Sequence, residues 1–529
     1  MSLGDRVESK DPDRIMFPDS ASSFIAQTFR WPSWSVCGAL AFLLAPPVMA
    51  QGGTAKTNVV LIIADDLAWD DSGPYGNDRV RTPNLDRLAA EGMKFNRAIL
   101  TASSCSPSRA SIITGLYPHQ TDAEELHWPL PASQVTFVEK LREAGYWTGA
   151  AGKWHLGDAI RDRFDVIKDV DTSGFQLPAG DAGKAGKFKE TTNGEAKSGC
   201  ADWVPLLRER PDDRPFFLWL AALDPHRPYE ECILENPHAP AKTRLAPYHP
   251  DTPGVRREYA LYYDEVTRLD QYVGKVLAEL TSQGVLDQTL VLFISDNGRP
   301  FPRDKTSLYD SGIRTPMLAR YPPMVKAGSV CDRLVSALDL APTFLELANT
   351  DKGKFPGVSF VSLLKKADAP PIRTYAFAEK NWHDYEDHSR SVRDRKYKYI
   401  RNHYHDLPPT PPADAVRGVT YQALIGLRDK GSLSAASAQL FWSPRPTEEL
   451  YDCDADPHEL TNLAANVEHS GILAKMREAL RVWEKETDDD VPTLRTADEF
   501  DRDLGTPTAA RVRPRKSKAE MAKAGLTAP

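Results

Sequence analysis

Two short clusters of oxygen-bearing side chains stand at the ends of apolar runs, far apart in the chain. Asn58-Val59-Val60-Leu61-Ile62-Ile63-Ala64 leads into Asp65-Asp66, and Thr289-Leu290-Val291-Leu292-Phe293-Ile294 leads into Ser295-Asp296-Asn297-Gly298. Apolar runs without alternation read as strands covered on both faces, which implies a parallel sheet between helices. In such sheets ligands bind at the carboxyl ends of the strands. Side-chain oxygens gathered there repel one another unless a hard cation joins them, and an all-oxygen set suits Ca²⁺ or Mg²⁺ rather than Zn²⁺. Either cluster alone reads as a cap or turn. The two together, at equivalent strand ends, read as a metal site built from Asp65, Asp66, Asp296 and Asn297.

The second chemical signal is Cys105-Ser106-Pro107-Ser108-Arg109-Ala110-Ser111, followed by Ile112-Ile113-Thr114-Gly115. Pro107 suits the first turn of a helix, whose free N–H groups attract an anion. A cysteine at such a start is expected to have a lowered pKa, which makes Cys105 a candidate nucleophile.

With that stretch intact, the chain resembles the type I, formylglycine-dependent sulfatases of the alkaline phosphatase superfamily, whose signature is C-x-P-S-R-A-S followed by T-G. Other family landmarks follow in order: Asp65-Asp66, Gly152-Lys153-Trp154-His155-Leu156-Gly157, Pro225-His226-Arg227-Pro228, Asp296-Asn297-Gly298 and Lys305. Glu449-Leu450-Tyr451-Asp452, Asp456-Pro457-His458-Glu459 and Asn462-Leu463 match the family's C-terminal part, so the resemblance covers nearly all of residues 56–485. It implies a maturation enzyme that oxidises Cys105 to formylglycine, hydrated to a geminal diol. It implies that Asp65, Asp66, Asp296 and Asn297, with residue 105, hold Ca²⁺ or alternatively Mg²⁺. Arg109 then holds the modified side chain, and Lys153 neutralises sulfate charge. One diol oxygen attacks sulfur, His226 or Lys305 protonates the leaving atom, and His155 takes a proton from the second hydroxyl as sulfate is expelled.

Within the family the resemblance narrows to the heparan N-sulfatase (sulfamidase) branch. It is carried by Asp71-Ser72-Gly73-Pro74-Tyr75, Ser104 to Ser108, Asp296 to Pro302 and Trp483 to Thr487. The polar stretch Ala378 to Asp384, with Asp387-His388 and Arg393, falls where that branch places substrate-pocket groups; an exposed loop is its other reading. Glu379 and His383, beside Lys305 and His226, are the implied substrate-binding residues. Trp154 and Lys305 are instead the choices of ordinary O-sulfatases. The expected substrate is an N-sulfated glucosamine, with a sugar O-sulfate or an aryl sulfate as the alternative. From other classes, a phosphonate or phosphodiester hydrolase and a silent carbohydrate-binding protein remain open.

The elements that must position these groups follow from periodicity. Pro215-Phe216-Phe217-Leu218-Trp219-Leu220 is a third buried run. Asn84 to Glu91 and Val135 to Ala144 read as helices, with Gly92 and Gly145 as left-handed stops. Tyr259, Tyr263, Val266, Leu269, Val273, Val276, Leu277 and Leu280 recur at helical spacing up to Gly284. Strands alternating with helices predict an α/β fold, and the resemblance makes it an alkaline-phosphatase-like mixed sheet sandwiched by helices. From about residue 370 the texture changes: Tyr397 to Ile400 alternates like a half-exposed antiparallel strand, Pro408 to Pro412 is a stiff loop, and Ser470 to Glu486 is an amphipathic helix. The expected division is a catalytic domain at 56–370, a smaller α+β subdomain at 371–500 and a disordered basic tail at 506–529.

Composition limits the rest. The 529 residues carry 66 Lys and Arg against 74 Asp and Glu, a net charge of −8, which argues against a nucleic-acid binder. Residues 31–50, with Val48-Met49-Ala50, read as the apolar core and cleavage site of a signal peptide, too short for a comfortable membrane span. Residues 1–50 are therefore expected to be removed, leaving a periplasmic or secreted protein with no stable membrane insertion. Cys200, Cys232, Cys331 and Cys453 permit disulfides in that compartment without fixing a pairing. The expected partners are a sulfated carbohydrate and the formylglycine-generating enzyme.

Overall fold

The computed structural model describes residues 56–170, 197–351 and 353–509, so the export segment lies outside the described residues. Eight strands make the main sheet: β1 (Asn58–Ala64), β2 (Met93–Ile99), β3 (Trp147–Gly152), β4 (Val166–Asp169), β5 (Phe216–Ala221), β6 (Thr289–Ser295), β7 (Arg314–Arg320) and β8 (Ser329–Ser336), in the order β4-β3-β5-β1-β6-β7-β2-β8. The five from β4 to β6 are parallel, β7 runs against both neighbours, and β2 and β8 are parallel to each other.

The unbroken apolar runs have a physical cause. In β1, Val59, Leu61 and Ile63 enter the cluster that holds Ile112, Phe137 and Phe344; Val60, Ile62 and Ala64 enter the other, with Tyr259, Val266 and Trp203. Each buried Val, Leu or Ile contributes about 1.5–3 kcal/mol, so neither face of the strand tolerates a polar residue cheaply. The helix Pro253–Ser282 crosses one face, capped by Thr252, whose side chain accepts from the Val255 N–H, and ended by Gly284 at φ +69°. Gly145 also stops its helix, Phe137–Glu143, at positive φ. Gly92 does not. Its φ is −131°, and a Cβ there would lie 2.4 Å from the Ala319 carbonyl oxygen, so glycine permits close approach of β7 rather than a left-handed stop.

A second, antiparallel sheet, β9 (Ala376–Lys380), β10 (Ser389–Arg393), β11 (Tyr397–Asn402) and β12 (Glu448–Asp452), has the order β12-β11-β10-β9. Contrary to the half-exposed reading, β11 is covered on both sides. Tyr399 packs with Leu473, Met476, Leu480 and Trp483 of the helix Ser470–Thr487, while Ile400 packs against Ile313 and Leu308 of the main unit. Lys398, on the Ile400 face's flank, is fully buried and neutralised by Asp310 and Glu459. The sheets meet where the Glu379 N–H donates to Thr101 O, a parallel bridge between Ala102 and Glu379.

The chain stays ordered past the expected start of the tail: Phe500 and Pro507 bridge, and Thr508 N–H donates to Glu499 O. Residues 510–529 lie outside the described residues. Cys200, Cys331 and Cys453 are buried, Cys232 is exposed, and all four are free thiols.

Candidate active site

Ala64 and Ser295 are register partners, so Asp65-Asp66 and Asp296-Asn297 leave neighbouring parallel strands at the same level. The Asp296 N–H donates to Ala64 O at 3.1 Å and the Asp65 N–H to Asp224 O at 3.0 Å, which fixes both backbones as they turn away. All four side chains are buried. Into this corner points the start of the helix Cys105–Thr114, with Cys105 Sγ 3.6 Å from Asp65 Oδ1 and 3.8 Å from Asp66 Oδ1.

Cations surround the cluster. Arg109 donates from Nε to Asp296 Oδ2 at 2.8 Å and from Nη1 to Lys153 O at 3.0 Å. Lys153 Nζ bonds Asp65, and Lys305 Nζ lies 2.8 Å from Asp66. His226 Nε2 lies 3.7 Å from Asp66 Oδ2, while its Nδ1 must donate to Arg227 O, since a carbonyl only accepts. Burial, reinforced by Lys305, keeps the His226 imidazole neutral. Burial opposes ionisation of Asp65, but Lys153 above all, with Arg109 and Lys305, outweighs it and holds the carboxyl below its usual range. Asp296 goes the other way: burial, with Asp65 and Asp66 adding to it, pushes it up to about 7 against the pull of Arg109.

These residues fit a cation. Three carboxylates converge, and the buried Asn297 Oδ1 has no hydrogen-bond donor while its Nδ2 bonds Asp66. An orphaned carbonyl oxygen beside crowded carboxylates lacks a positive partner, and oxygens of this kind suit Ca²⁺ or Mg²⁺. Ligand atoms of Asp65, Cys105 and Asp296 fall within 4.8 Å of one another, as do those of Asp66, Cys105 and His226.

The expected lowering of the Cys105 pKa is not found. Burial pushes the thiol up, and Asp65 and Asp66 offset what Lys153 and Lys305 contribute. An unmodified Cys105 is thus a protonated thiol at neutral pH, and the helix start does not outweigh desolvation.

His155, at φ +54°, bonds through Nε2 to His127 Nδ1 at 2.7 Å, and burial with Lys153 keeps it neutral. His127, at φ +68°, donates its backbone N–H to Ser106 Oγ inside the cysteine motif. No motif surrounds His127, so nothing in the sequence singled it out. His383 Nδ1 lies 2.7 Å from Ser104 Oγ, the residue before Cys105, and lines a small cavity with Ser103, Thr306 and Trp382. Glu379 reaches the same cavity wall, but its carboxylate is fully buried and turned to His119 Nδ1 (2.9 Å) and Asn381 Nδ2 (3.0 Å). Of the expected residues, the structure gathers Asp65, Asp66, Cys105, Arg109, Lys153, His226, Asp296, Asn297 and Lys305 in one cluster. It sets His155 and His383 at its flanks and commits the Glu379 carboxylate elsewhere.

Comparison with known proteins agrees with this geometry. The Sulfatase family matches residues 57–350, and the family described as N-sulphoglucosamine sulphohydrolase, C-terminal, matches residues 301–408. The chain is 33% identical over 472 residues to the human N-sulphoglucosamine sulphohydrolase, covering 82% of this chain and 90% of that protein. It is 30% identical over 475 residues to an ulvan-active sulfatase of Formosa agariphila, covering 81% of this chain and 74% of that one. A protein solved in complex with its substrate D-glucosamine-2-N,6-O-disulfate shares the fold, with a TM-score of 0.63 at 21% identity over 83% of this chain and 99% of that chain. On these matches, and on the cluster around Cys105, the chain belongs to the sulfatase family of hydrolases.

Proposed function

We propose that the protein hydrolyses sulfate from a sulfated carbohydrate, best an N-sulfated glucosamine residue, through a formylglycine made from Cys105. The observation that carries the reading is the placement of Cys105 Sγ within 4 Å of both Asp65 and Asp66, under the charges of Arg109, Lys153 and Lys305. Formylglycine, once hydrated, supplies a hydroxyl nucleophile where a buried thiol supplies none. Asp65, Asp66, Asp296 and Asn297 would hold a Ca²⁺, which would supply positive charge for the sulfate oxygens and for the nucleophile.

The chain's own residues do the rest. Arg109 and Lys153 bring fixed positive charge to one side of residue 105, preorganised by their bonds to Asp296 and Asp65. Lys305 carries its proton, since Asp66 outweighs burial, whereas His226 has its Nδ1 hydrogen committed to Arg227 O. That contrast favours Lys305 as the proton source for the leaving atom, with His226 Nε2 as its acceptor neighbour. The neutral imidazole of His155 suits a base for the residue-105 hydroxyl, with His127 fixing the ring. The N-sulfated substrate rests on the relationship of residues 301–408 to the sulphoglucosamine hydrolases. We place the mature protein outside the cytoplasm, exported by residues 31–50 and matured by a formylglycine-generating enzyme. Among the described residues no helix is long and apolar enough to cross a membrane.

The test is sulfate release from glucosamine N-sulfate beside glucosamine 6-sulfate, by enzyme co-expressed with a formylglycine-generating enzyme and supplied with Ca²⁺. The expected result is preferential N-desulfation, an aldehyde mass at residue 105, and loss of turnover in Cys105→Ala. Preference for the O-sulfate would move the assignment to a sugar O-sulfatase. Full activity in Cys105→Ala would remove the proposed nucleophile.

A further inference from the structure

Asp414 was not among the residues that the motifs single out. It lies on the short helix Ala413–Val416, just after the stiff loop Pro408 to Pro412. Two anchors place this turn against the site. At one end the Ala413 N–H donates to Asp384 Oδ2 at 2.9 Å, next to His383. At the other, Val419 N–H and Thr420 N–H donate to Glu258, the ion-pair partner of Arg227, next to His226. Asp414 is held between these anchors, and its charge is felt by Lys305, His226 and Arg227, by Arg417 of its own turn, and by His383. Lys305 and His226 lie beside Asp66; Arg109 and Lys153, on the Asp65 and Asp296 side, are not among its main electrostatic neighbours.

The carboxylate is available. Ala413 and Ala415 are buried, but Asp414 is only partly so. Its one side-chain hydrogen bond is accepted from the Ala415 N–H by Oδ1, and it forms no ion pair with any described residue. A partly open carboxylate on a turn anchored beside His383 and His226, with only Oδ1 bonded, leaves its other oxygen for a donor from outside the chain.

We infer that Asp414 is a specificity-determining residue that reads the leaving side of the substrate, accepting hydrogen bonds from the amine or hydroxyl donors of the sugar and repelling a second anionic group there. The inference rests on the sulfatase reading above, in which Lys305 and His226 face the leaving atom. It deepens that reading because a sulfamate leaves as an amine, which becomes an ammonium ion in water. A carboxylate on that side matches the developing product charge, while Arg109 and Lys153 would face the sulfate on the other. A sulfate or carboxylate next to the scissile group would instead meet like charge, and like charges at close range cost affinity.

The substitution Asp414→Asn keeps an acceptor for the Ala415 N–H and removes the charge. In the matured enzyme, the ratio of kcat/KM for glucosamine N-sulfate to that for 4-nitrophenyl sulfate, which carries no sugar, is expected to fall at least about tenfold. An unchanged ratio, whether both values fall together or neither falls, would overturn the assignment. A second readout needs no turnover: glucosamine should raise the Tm of the unmodified wild-type chain in a concentration-dependent way, and this shift should be lost in Asp414→Asn. A shift of equal size in both proteins would also overturn it. If the matured wild type releases sulfate from neither substrate while glucosamine still stabilises it through Asp414, the sulfatase reading fails and the sugar-recognition role of Asp414 stands.

Discussion

The cluster concentrates charge in a buried corner, and the balance at single residues decides what removing each one does. Asp296 is the partner of Arg109, whose guanidinium is fully buried. Taking the carboxylate away leaves a buried cation without its main counter-charge, a loss of about 3–5 kcal/mol for pairs of this kind. It also removes one of the oxygens proposed to hold the cation. We therefore expect Asp296→Ala to lower the Tm in chelator and, separately, to lack the rise in Tm that Ca²⁺ is expected to give the wild type. The second effect follows from linkage, since a ligand stabilises only the state that binds it. Elemental analysis of the purified variant should show less bound calcium than in the wild type purified alongside it. Unchanged calcium content would take Asp296 out of the ligand set. At this scale the sequence was informative about proximity wherever a side chain sat inside a motif: Asp65, Asp66, Cys105, Asp296 and Lys305 lie together although 239 positions separate Asp66 from Lys305. It misled where burial or a distant partner decides. Cys105 is not activated by its helix start, and Glu379 is claimed by His119, 260 positions away, which no local pattern announces.

Among the elements, the helix Ser470–Thr487 covers the outer face of the second sheet, and its last turn is held by a histidine from the main unit. His119 Nδ1 bonds Glu379 Oε1 at 2.9 Å and Nε2 bonds Thr487 O at 3.1 Å, so both ring nitrogens face acceptors and the ring fits as an imidazolium. Burial works against that charge, but Glu379 and then Asp489 prevail over Arg390, and the pKa is raised above 6.5. A positive charge at a helix C-terminus contributes about 1–2 kcal/mol in partly buried geometry. Because the folded pKa exceeds the unfolded one, this stability is fully present below pH 6.5 and is lost as pH rises through the folded value. Hydrogen exchange of residues 470–487 should therefore speed up, beyond its intrinsic base dependence, as pH rises through the folded value. His119→Gln should remove that extra dependence, and an identical profile in wild type and variant would refute the clasp. Elements were legible in proportion to their apolar content. β1, β5 and β6 could be read directly, but β3 (Trp-Thr-Gly-Ala-Ala-Gly) could not, because its small residues serve close packing: a Cβ on Gly149 would meet Leu218 and Leu206 at 3.0–3.1 Å. The antiparallel β7 and its neighbour β2 carry polar residues and gave no run to recognise.

Over the whole molecule, the pocket wall is assembled from pieces far apart in the chain, and the last described segment ties them. Trp382 Nε1 donates to Ala497 O, the Glu386 N–H to Asp498 Oδ1, the Glu499 N–H to Asp384 O, and Tyr385 OH to Asp501 O. Arg502 adds a bond to Glu386 O, and Arg417 one to Gly505 O, so the same segment steadies both the loop of His383 and the turn of Asp414. Residues 497–505 carry no apolar run or motif that announces this, and the tie is made largely through backbone groups that composition does not report. The metal corner is held independently, by β1, β6 and the helix Cys105–Thr114. Ending the chain after Asp490 should thus separate two functions. Each neutral hydrogen bond contributes about 1 kcal/mol net, so losing this set loosens the wall without unfolding a core built on the eight-stranded sheet. We expect the truncated protein to keep its Ca²⁺-dependent rise in Tm, while KM for glucosamine N-sulfate rises at least about tenfold and KM for 4-nitrophenyl sulfate rises less. If the two KM values rise equally, the segment supports the enzyme as a whole rather than the sugar-facing wall.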